Sequence, residues 1–243
     1  MPRRTYFQFK QFTVQQERCA MKVCTDACVL GAWAEVGTSS TPSRVLDIGT
    51  GTGLLALMAA QRNPAAHIDA VELNAEAAEQ ARANVAASPF AARIRVVQVP
   101  IQAFVAEVPY DFILTNPPFY QSDLRSPDAA VNQAHHATSL TFTELLTAVE
   151  RLLTQAGTWS VLLPVAESEQ LQRQAEATGW VLTRQLTLAH QPGQVPFRRL
   201  GTYRRRGTFE GTLEKQALCV YEADGSTFNA AFRYLLRDFY LPF

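Results

Sequence analysis

The run DIGTGTG, from Asp47 to Gly53, lies between an apolar stretch, RVLDI, and a helical one, LLALMAAQR. Glycines at every second position (Gly49, Gly51, Gly53) let the backbone turn tightly and let another molecule approach it closely, and the helix that follows offers unpaired N–H groups at its start. A short strand, a glycine turn and a helix form one βα unit. A chain that repeats such units builds a parallel sheet with its binding crevice at the carboxyl ends of the strands. Here strand-like segments at 68–73, 94–99, 110–115 and 159–164 follow the first one. Helical segments at 54–62, 75–87 and 143–154 are interleaved, the last with Leu145, Leu146, Val149, Leu152 and Leu153 on one side. The expected fold class is α/β, a doubly wound and mainly parallel sheet.

After Trp180 the pattern changes, because 181–189, 198–205 and 217–221 read as strands with no helix between them. That predicts an antiparallel C-terminal edge. A final helix is expected over 228–240, behind the turn Asp224-Gly225-Ser226. The linker-like stretch GTSSTP (37–42) separates an N-terminal segment, 1–36, from a domain spanning 43–243.

Composition narrows the class. With 47% apolar residues the chain can bury an ordinary core, and no stretch approaches the roughly 20 uninterrupted apolar residues that span a bilayer. Arg3-Arg4 is followed by no apolar region of the kind an export signal needs, so a cytoplasmic protein without a membrane partner is expected. Cys19, Cys24 and Cys28 have the wrong spacing for zinc pairs and the nearest histidine is His67, which predicts free thiols and no metal. Charge is balanced overall, 22 basic against 22 acidic, but unevenly spread. Residues 1–22 hold five basic residues and one acid, and 184–206 hold six arginines and no acid. Two such segments can form a phosphate-binding face, through Lys10 and Arg18 on one side and Arg198, Arg199 and Arg204 on the other, or remain solvated side chains on an edge strand.

The glycine turn is not a dinucleotide fingerprint, since Leu54 stands where G-x-G-x-x-G needs its last small residue, and Asp47 is foreign to that motif. Glu72 ends the second strand, where a carboxylate can accept hydrogen bonds from both hydroxyls of a ribose. After the fourth strand comes Asn116-Pro117-Pro118-Phe119. Two prolines restrict φ and remove two N–H groups, which holds Asn116 and the Pro117 carbonyl in a stiff loop. The Asn116 side-chain oxygen and that carbonyl can accept from a single NH₂ group, and Phe119 offers a face for a base, an interaction worth about 1–3 kcal/mol. Alone, this tetrapeptide reads as a proline-rich turn; beside the glycine turn it points to chemistry on an amine.

Asp47, the three glycines and Glu72 together resemble the cofactor site of class I S-adenosylmethionine-dependent methyltransferases, a Rossmann-like fold. The N-P-P-F run resembles the N-P-P-[FYW] signature of those that methylate amino groups. The resemblance implies S-adenosylmethionine as cofactor, S-adenosylhomocysteine as product, and direct in-line transfer by alignment, with no strong base. Pro100 stands where such enzymes often carry an aspartate for the cofactor's adenine, which leaves a backbone group at Ile101 to recognise that ring.

The N-terminal segment FQFKQFTVQQERCAMKVCTDACVLGAW (7–33) is similar to the start of the bacterial tRNA valine-1 (adenine-N6)-methyltransferase family. The likeness continues through SLTFTELL (139–146), VLLP (161–164) and RDFYLPF (237–243). Cys24 and Ala27 depart from the family's glycines, and His135 from its usual arginine. What the resemblance implies is methyl transfer to N6 of the adenine 3′ of the anticodon, position 37 of a valine tRNA. The partner is then tRNA, with no obligate protein partner, and the enzyme a monomer. Lys22, Thr25 and Asp26 would lie over the methionine end of the cofactor, although the same residues also read as a solvated lysine before a helix N-cap at Thr25 or Asp26. Rival readings are guanine-N2 methylation of rRNA, glutamine methylation of a protein, and a non-catalytic protein that binds cofactor and RNA.

Overall fold

The computed structural model describes residues 5–19, 21–38, 40–117 and 140–243. Strand β3 (Ser43–Ile48) runs through its interior, with Val45, Leu46 and Ile48 enclosed on both faces. Burial on both faces is what a parallel strand between two helical layers has, and here it takes in Asp47 as well as the apolar residues. Its parallel neighbours are β4 (Ala66–Glu72) and β6 (Tyr110–Thr115), with β5 (Ile94–Gln98) beyond β4 and β7 (Leu153–Leu163) beyond β6. The chain order reverses between β3 and β6, which makes their carboxyl ends the place where a crevice opens.

Three further strands extend the sheet past β7: β8 (Trp180–Ala189), β9 (Arg198–Arg205) and β10 (Glu214–Cys219). The full order is β10-β8-β9-β7-β6-β3-β4-β5. The antiparallel strand expected in this region is β9, which opposes both β7 and β8. The outermost strand, β10, pairs with β8 in parallel.

One face of the sheet carries α1 (Thr25–Trp33), α2 (Leu54–Arg62), the terminal helix α6 (Ala230–Leu236) and the hairpin of β1 (Tyr6–Gln8) and β2 (Thr13–Gln15). Phe9, Val14, Leu30, Leu57, Phe232 and Tyr240 share a single core there, so residues before position 36 pack with the body of the 43–243 span. Helix α3 (Ala75–Ala86) lies along β5 and touches β2. The other face is covered by α4 (Phe142–Leu152) and α5 (Val165–Ala177), with Leu145, Val149, Trp159 and Leu171 in its core. No helix among the described residues is long and apolar enough to cross a membrane.

Several boundaries differ from the sequence reading for local reasons. Helix α4 begins at Phe142 because Thr141 and Glu144 close a capping box, the Glu144 carboxylate accepting from the Thr141 N–H at 2.8 Å. The last helix starts at Ala230, since Phe228 is held in a bridge to Tyr221 and Asn229 caps the first turn. At α1 neither Thr25 nor Asp26 is the cap: Cys24 occupies that position without a side-chain bond, and Thr25 is the first helical residue.

Candidate active site

Asp47 is wholly buried and lies behind the glycine turn. Its Oδ2 accepts from the Thr50 hydroxyl at 2.6 Å and from the Ala56 N–H at 3.2 Å, so it satisfies a free donor in the first turn of α2 that the preceding Gly53 cannot. Loss of hydration pushes its carboxyl up to about 7, against which the Thr50 and Ala56 bonds work. Expected as a cofactor contact, Asp47 instead stands outside the crevice lining and shapes the turn.

That turn needs its glycines. Gly49, Gly51 and Gly53 have φ of 72°, 56° and 86°, a region that side-chain-bearing residues rarely adopt. A Cβ at Gly49 or Gly51 would meet nothing within 4 Å, whereas at Gly53 it would meet Ala81 at 3.6 Å. The first two therefore present bare backbone to open space, and the third serves packing against α3.

The open space is a crevice of about 1090 Å³ over the carboxyl ends of β3 to β6. Glu72, ending β4, lines it and accepts from the Gly51 N–H at 2.8 Å and the Asn74 N–H at 2.9 Å. A carboxylate has about four acceptor sites, so two remain for a ligand after the turn is tied down. Ile101 lines the same wall, but its carbonyl already accepts from Arg151 at 3.0 Å and from the Phe104 N–H at 3.3 Å, which leaves its N–H as the group available to a ring. Arg18, Cys19 and residues 21–24 form the facing wall, Lys22 among them; Thr25 is not part of the lining.

Asn116, one residue past β6, closes the group, with Pro117 beside it. Its Nδ2 points at the Met21 sulfur, 3.7 Å away, and its Oδ1 is buried with no hydrogen-bond partner among the described residues. A buried acceptor without a donor costs about 1–3 kcal/mol, and this one belongs to a residue that lines the crevice. Pro118 and Phe119 lie outside the described residues, as do His135 and His136. Two thiols also line the crevice. Burial, and then the charge of Glu72, pushes Cys19 up to about 11, and burial raises Cys24 further, so neither is a thiolate nucleophile.

The five cations expected on an RNA face are not brought together. Lys10 donates its ammonium to the carbonyls of Arg237 and Phe243 at 2.6 and 2.7 Å. Arg198 pairs with Asp26 at 2.7 Å, Arg199 with Glu169 at 3.1 Å and Arg204 with Glu35 at 3.1 Å. Arg18, whose guanidinium makes an exposed pair with Glu79, is the one of the five that lines the crevice. A smaller cavity of about 360 Å³ opens at the opposite rim beside Arg44, Arg93 and Arg95. Asp69 there already accepts from Arg95 and from the Tyr110 hydroxyl, so it reads as part of an internal polar network.

Sequence reasoning missed Cys19, Met21, Leu140 and Glu144 as crevice residues, and Gln80 and Asn84 beneath its wall. The last pair had a signal: two amides four residues apart on the buried, alanine-rich side of α3.

The methyltransferase small domain family matches residues 35–162. A tRNA1(Val) (adenine(37)-N6)-methyltransferase of Dyadobacter fermentans is 54% identical over 243 residues, 100% of each chain. One from Tolumonas auensis is 44% identical over 236 residues, covering 97% of this chain and 96% of its own. Among solved structures, one described as a predicted O-methyltransferase from Agrobacterium tumefaciens has the same fold, with a TM-score of 0.64 at 19% identity over 88% of this chain and 96% of that one. With a full-length match at this identity and a glycine turn, acidic strand end and Asn-Pro loop at one switch point, the chain belongs to the methyltransferase small domain family and, within it, to the tRNA1(Val) (adenine(37)-N6)-methyltransferases.

Proposed function

We propose that this protein transfers a methyl group from S-adenosylmethionine to N6 of adenine 37 in valine tRNA, and that the unpartnered Oδ1 of Asn116 is the atom that receives the amine. The residues present fit the cofactor. Gly49 and Gly51 leave unobstructed backbone along one wall, Glu72 keeps acceptor capacity for a ribose, and the Ile101 N–H suits a ring nitrogen. When bound, S-adenosylmethionine supplies an electrophilic methyl on a sulfonium and leaves as S-adenosylhomocysteine.

The chain's own contribution is orientation. The Asn116 amide is turned by Met21 so that its oxygen, and not its nitrogen, is free. That oxygen and the Pro117 carbonyl accept the two N–H groups of an exocyclic amine, which points the nitrogen lone pair out of the base plane and stabilises the positive charge that develops on nitrogen. Acceptors already fixed in place need no reorganisation as charge appears, and one such group is worth about 3–4 kcal/mol. The surplus proton leaves the cationic nitrogen after transfer, so no strong base is required. Arg18 and Lys22, on the wall opposite the glycine turn, are the cations placed to meet the phosphates of a splayed nucleotide. With tRNA as substrate, the work is cytoplasmic.

The test is product identity. The protein is incubated with methyl-labelled cofactor and unmodified valine tRNA, or the same tRNA with guanine at position 37, and the RNA is digested to nucleosides for mass spectrometry. N6-methyladenosine from the first and no product from the second is the expected result. N2-methylguanosine, or label in protein and none in RNA, would overturn the reading.

A further inference from the structure

Asn84 is a polar residue 1% exposed, on the side of α3 that faces the glycine turn. Its hydrogen bonds are made inside the protein. Its Oδ1 accepts from the Gln15 N–H at 2.9 Å, and its Nδ2 donates to the Gln15 carbonyl at 2.9 Å and to the Thr52 carbonyl at 2.8 Å. The amide thus pairs with Gln15 as a neighbouring strand would, on the edge of β2 opposite Tyr6, and uses its remaining donor to hold the glycine turn. A short hairpin strand acquires a second partner this way, and that partner is rigidly attached to the floor of the crevice.

What Gln15 leads into gives this pairing its significance. Arg18, Cys19, Met21, Lys22, Val23 and Cys24, the facing wall of the crevice, begin three residues later. The wall is tied down by two more amides: Arg18 N–H donates to Gln80 Oε1 at 3.4 Å, and Val23 N–H to Gln16 Oε1 at 2.8 Å. Gln80 lies one turn before Asn84 on the same helix face, so α3 fixes both the root of the wall and its first residue. Thr52 lies between Gly51 and Gly53, so the same side chain fixes the height of the floor.

From this we infer that Asn84 is a positioning residue for cofactor binding: it sets the separation between the glycine turn and the wall that carries Lys22. The inference rests on the methyl-transfer reading above for its consequence in turnover, but its structural part concerns the protein alone. Removing the amide loosens the wall without touching the reacting atoms. Cofactor binding, which needs the wall closed over the turn, weakens, while the step at Asn116 proceeds once both substrates saturate.

The experiment compares Asn84→Ala, Asn84→Asp and, as a reference, Ser88→Ala. Ser88 is buried near the end of α3, donates to the Val85 carbonyl at 2.7 Å, and lies away from the crevice. Asn84→Asp keeps the shape and the acceptor for Gln15 while removing both donated bonds, and it carries the test if the alanine variant does not fold. Calorimetry with S-adenosylhomocysteine, hydrogen exchange at the Arg18 and Val23 amides, and steady-state kinetics are read on each. The Asn84 variants should raise the S-adenosylhomocysteine Kd by about tenfold and speed exchange at both amides. Their kcat at saturation should stay within about twofold of the parent. Ser88→Ala should lose melting temperature with none of these changes. If the Asn84 variants match Ser88→Ala, or if kcat falls while Kd and exchange stay unchanged, the inference is wrong. Because Kd and exchange need no RNA, failure here leaves the nucleoside test of the reaction untouched, and failure of that test leaves these readouts intact.

Discussion

Arg198, the first residue of β9, donates Nε to Asp26 Oδ2 at 2.7 Å, and so grips the first turn of α1 from 172 positions away in the chain. Asp26 is 7% exposed, and its neighbours Cys24 and Ala27 line the crevice. Arg198→Ala removes the counter-ion of a buried carboxylate, leaving it the Ala27 N–H at 3.1 Å, and is expected to cost about 1–3 kcal/mol in a denaturant titration. The double variant of Arg198 and Arg199 should lose stability and leave the salt dependence of tRNA binding unchanged. Neutralising Arg18 and Lys22 should do the reverse, lowering the log–log salt slope by about 0.7–0.9 for each phosphate left without its cation. A filter-binding series across salt concentrations separates the two.

Asn116→Ala should reduce kcat by about 10²–10³ with little change in S-adenosylhomocysteine affinity, as removal of a pre-positioned group that stabilises developing charge does. The same substitution deletes an unpartnered buried oxygen, so the variant should melt at or above the parent temperature. Single-turnover kinetics beside calorimetry checks both halves.

Glu72→Ala removes the acceptor for the Gly51 and Asn74 N–H groups as well as the site expected for a ribose. Its S-adenosylhomocysteine Kd should rise by about tenfold or more, and its thermal stability should fall. Asn116→Ala and Glu72→Ala therefore separate in opposite directions on the same two assays.

Asp47 couples stability to pH. Its folded carboxyl titrates at about 7 against an ordinary 3.8, so between these values the native state holds a proton that the unfolded chain has released. Stability is then greatest at the acidic end of that window, falls as pH rises towards 7, and levels off above it, with a slope of at most about 1.4 kcal/mol per pH unit. Asp47→Asn should flatten this profile. Urea denaturation at pH 5, 6, 7 and 8 on both proteins checks it.

What the sequence disclosed follows from where it is punctuated. Helix α2 and strand β6 have the limits read from the sequence, because Gly53 starts one and Asn116-Pro117 stops the other. Helix α5 was invisible, since VAESEQLQRQAEA buries only Ser168, Leu171 and Ala175, a stripe too narrow to register as a helical period. The hairpin was equally hidden, with strands of three residues each. At the site, the glycines, Glu72 and Asn116 were legible because their chemistry is local. The basic residues were not, because a count of charges cannot tell which acid stands opposite each one: Glu169, Glu35 and Asp26 come from distant elements.

The anchoring of Lys10 has a consequence in time. The ribosome delivers the wall of the crevice well before the groups that anchor its hairpin, the ring of Tyr240 beside Phe9 and the carbonyl of Arg237, 227 positions beyond Lys10. A nascent chain released as far as β9 already has the glycine turn, Glu72 and Asn116 in sequence but lacks the partners that hold residues 6–15 in place. Since domains fold as units once their contacts are complete, the hairpin is held in place only after Arg237 and Tyr240 have been made. A chain stalled at β9 therefore carries the glycine turn, Glu72 and Asn116 without the anchored wall that faces them.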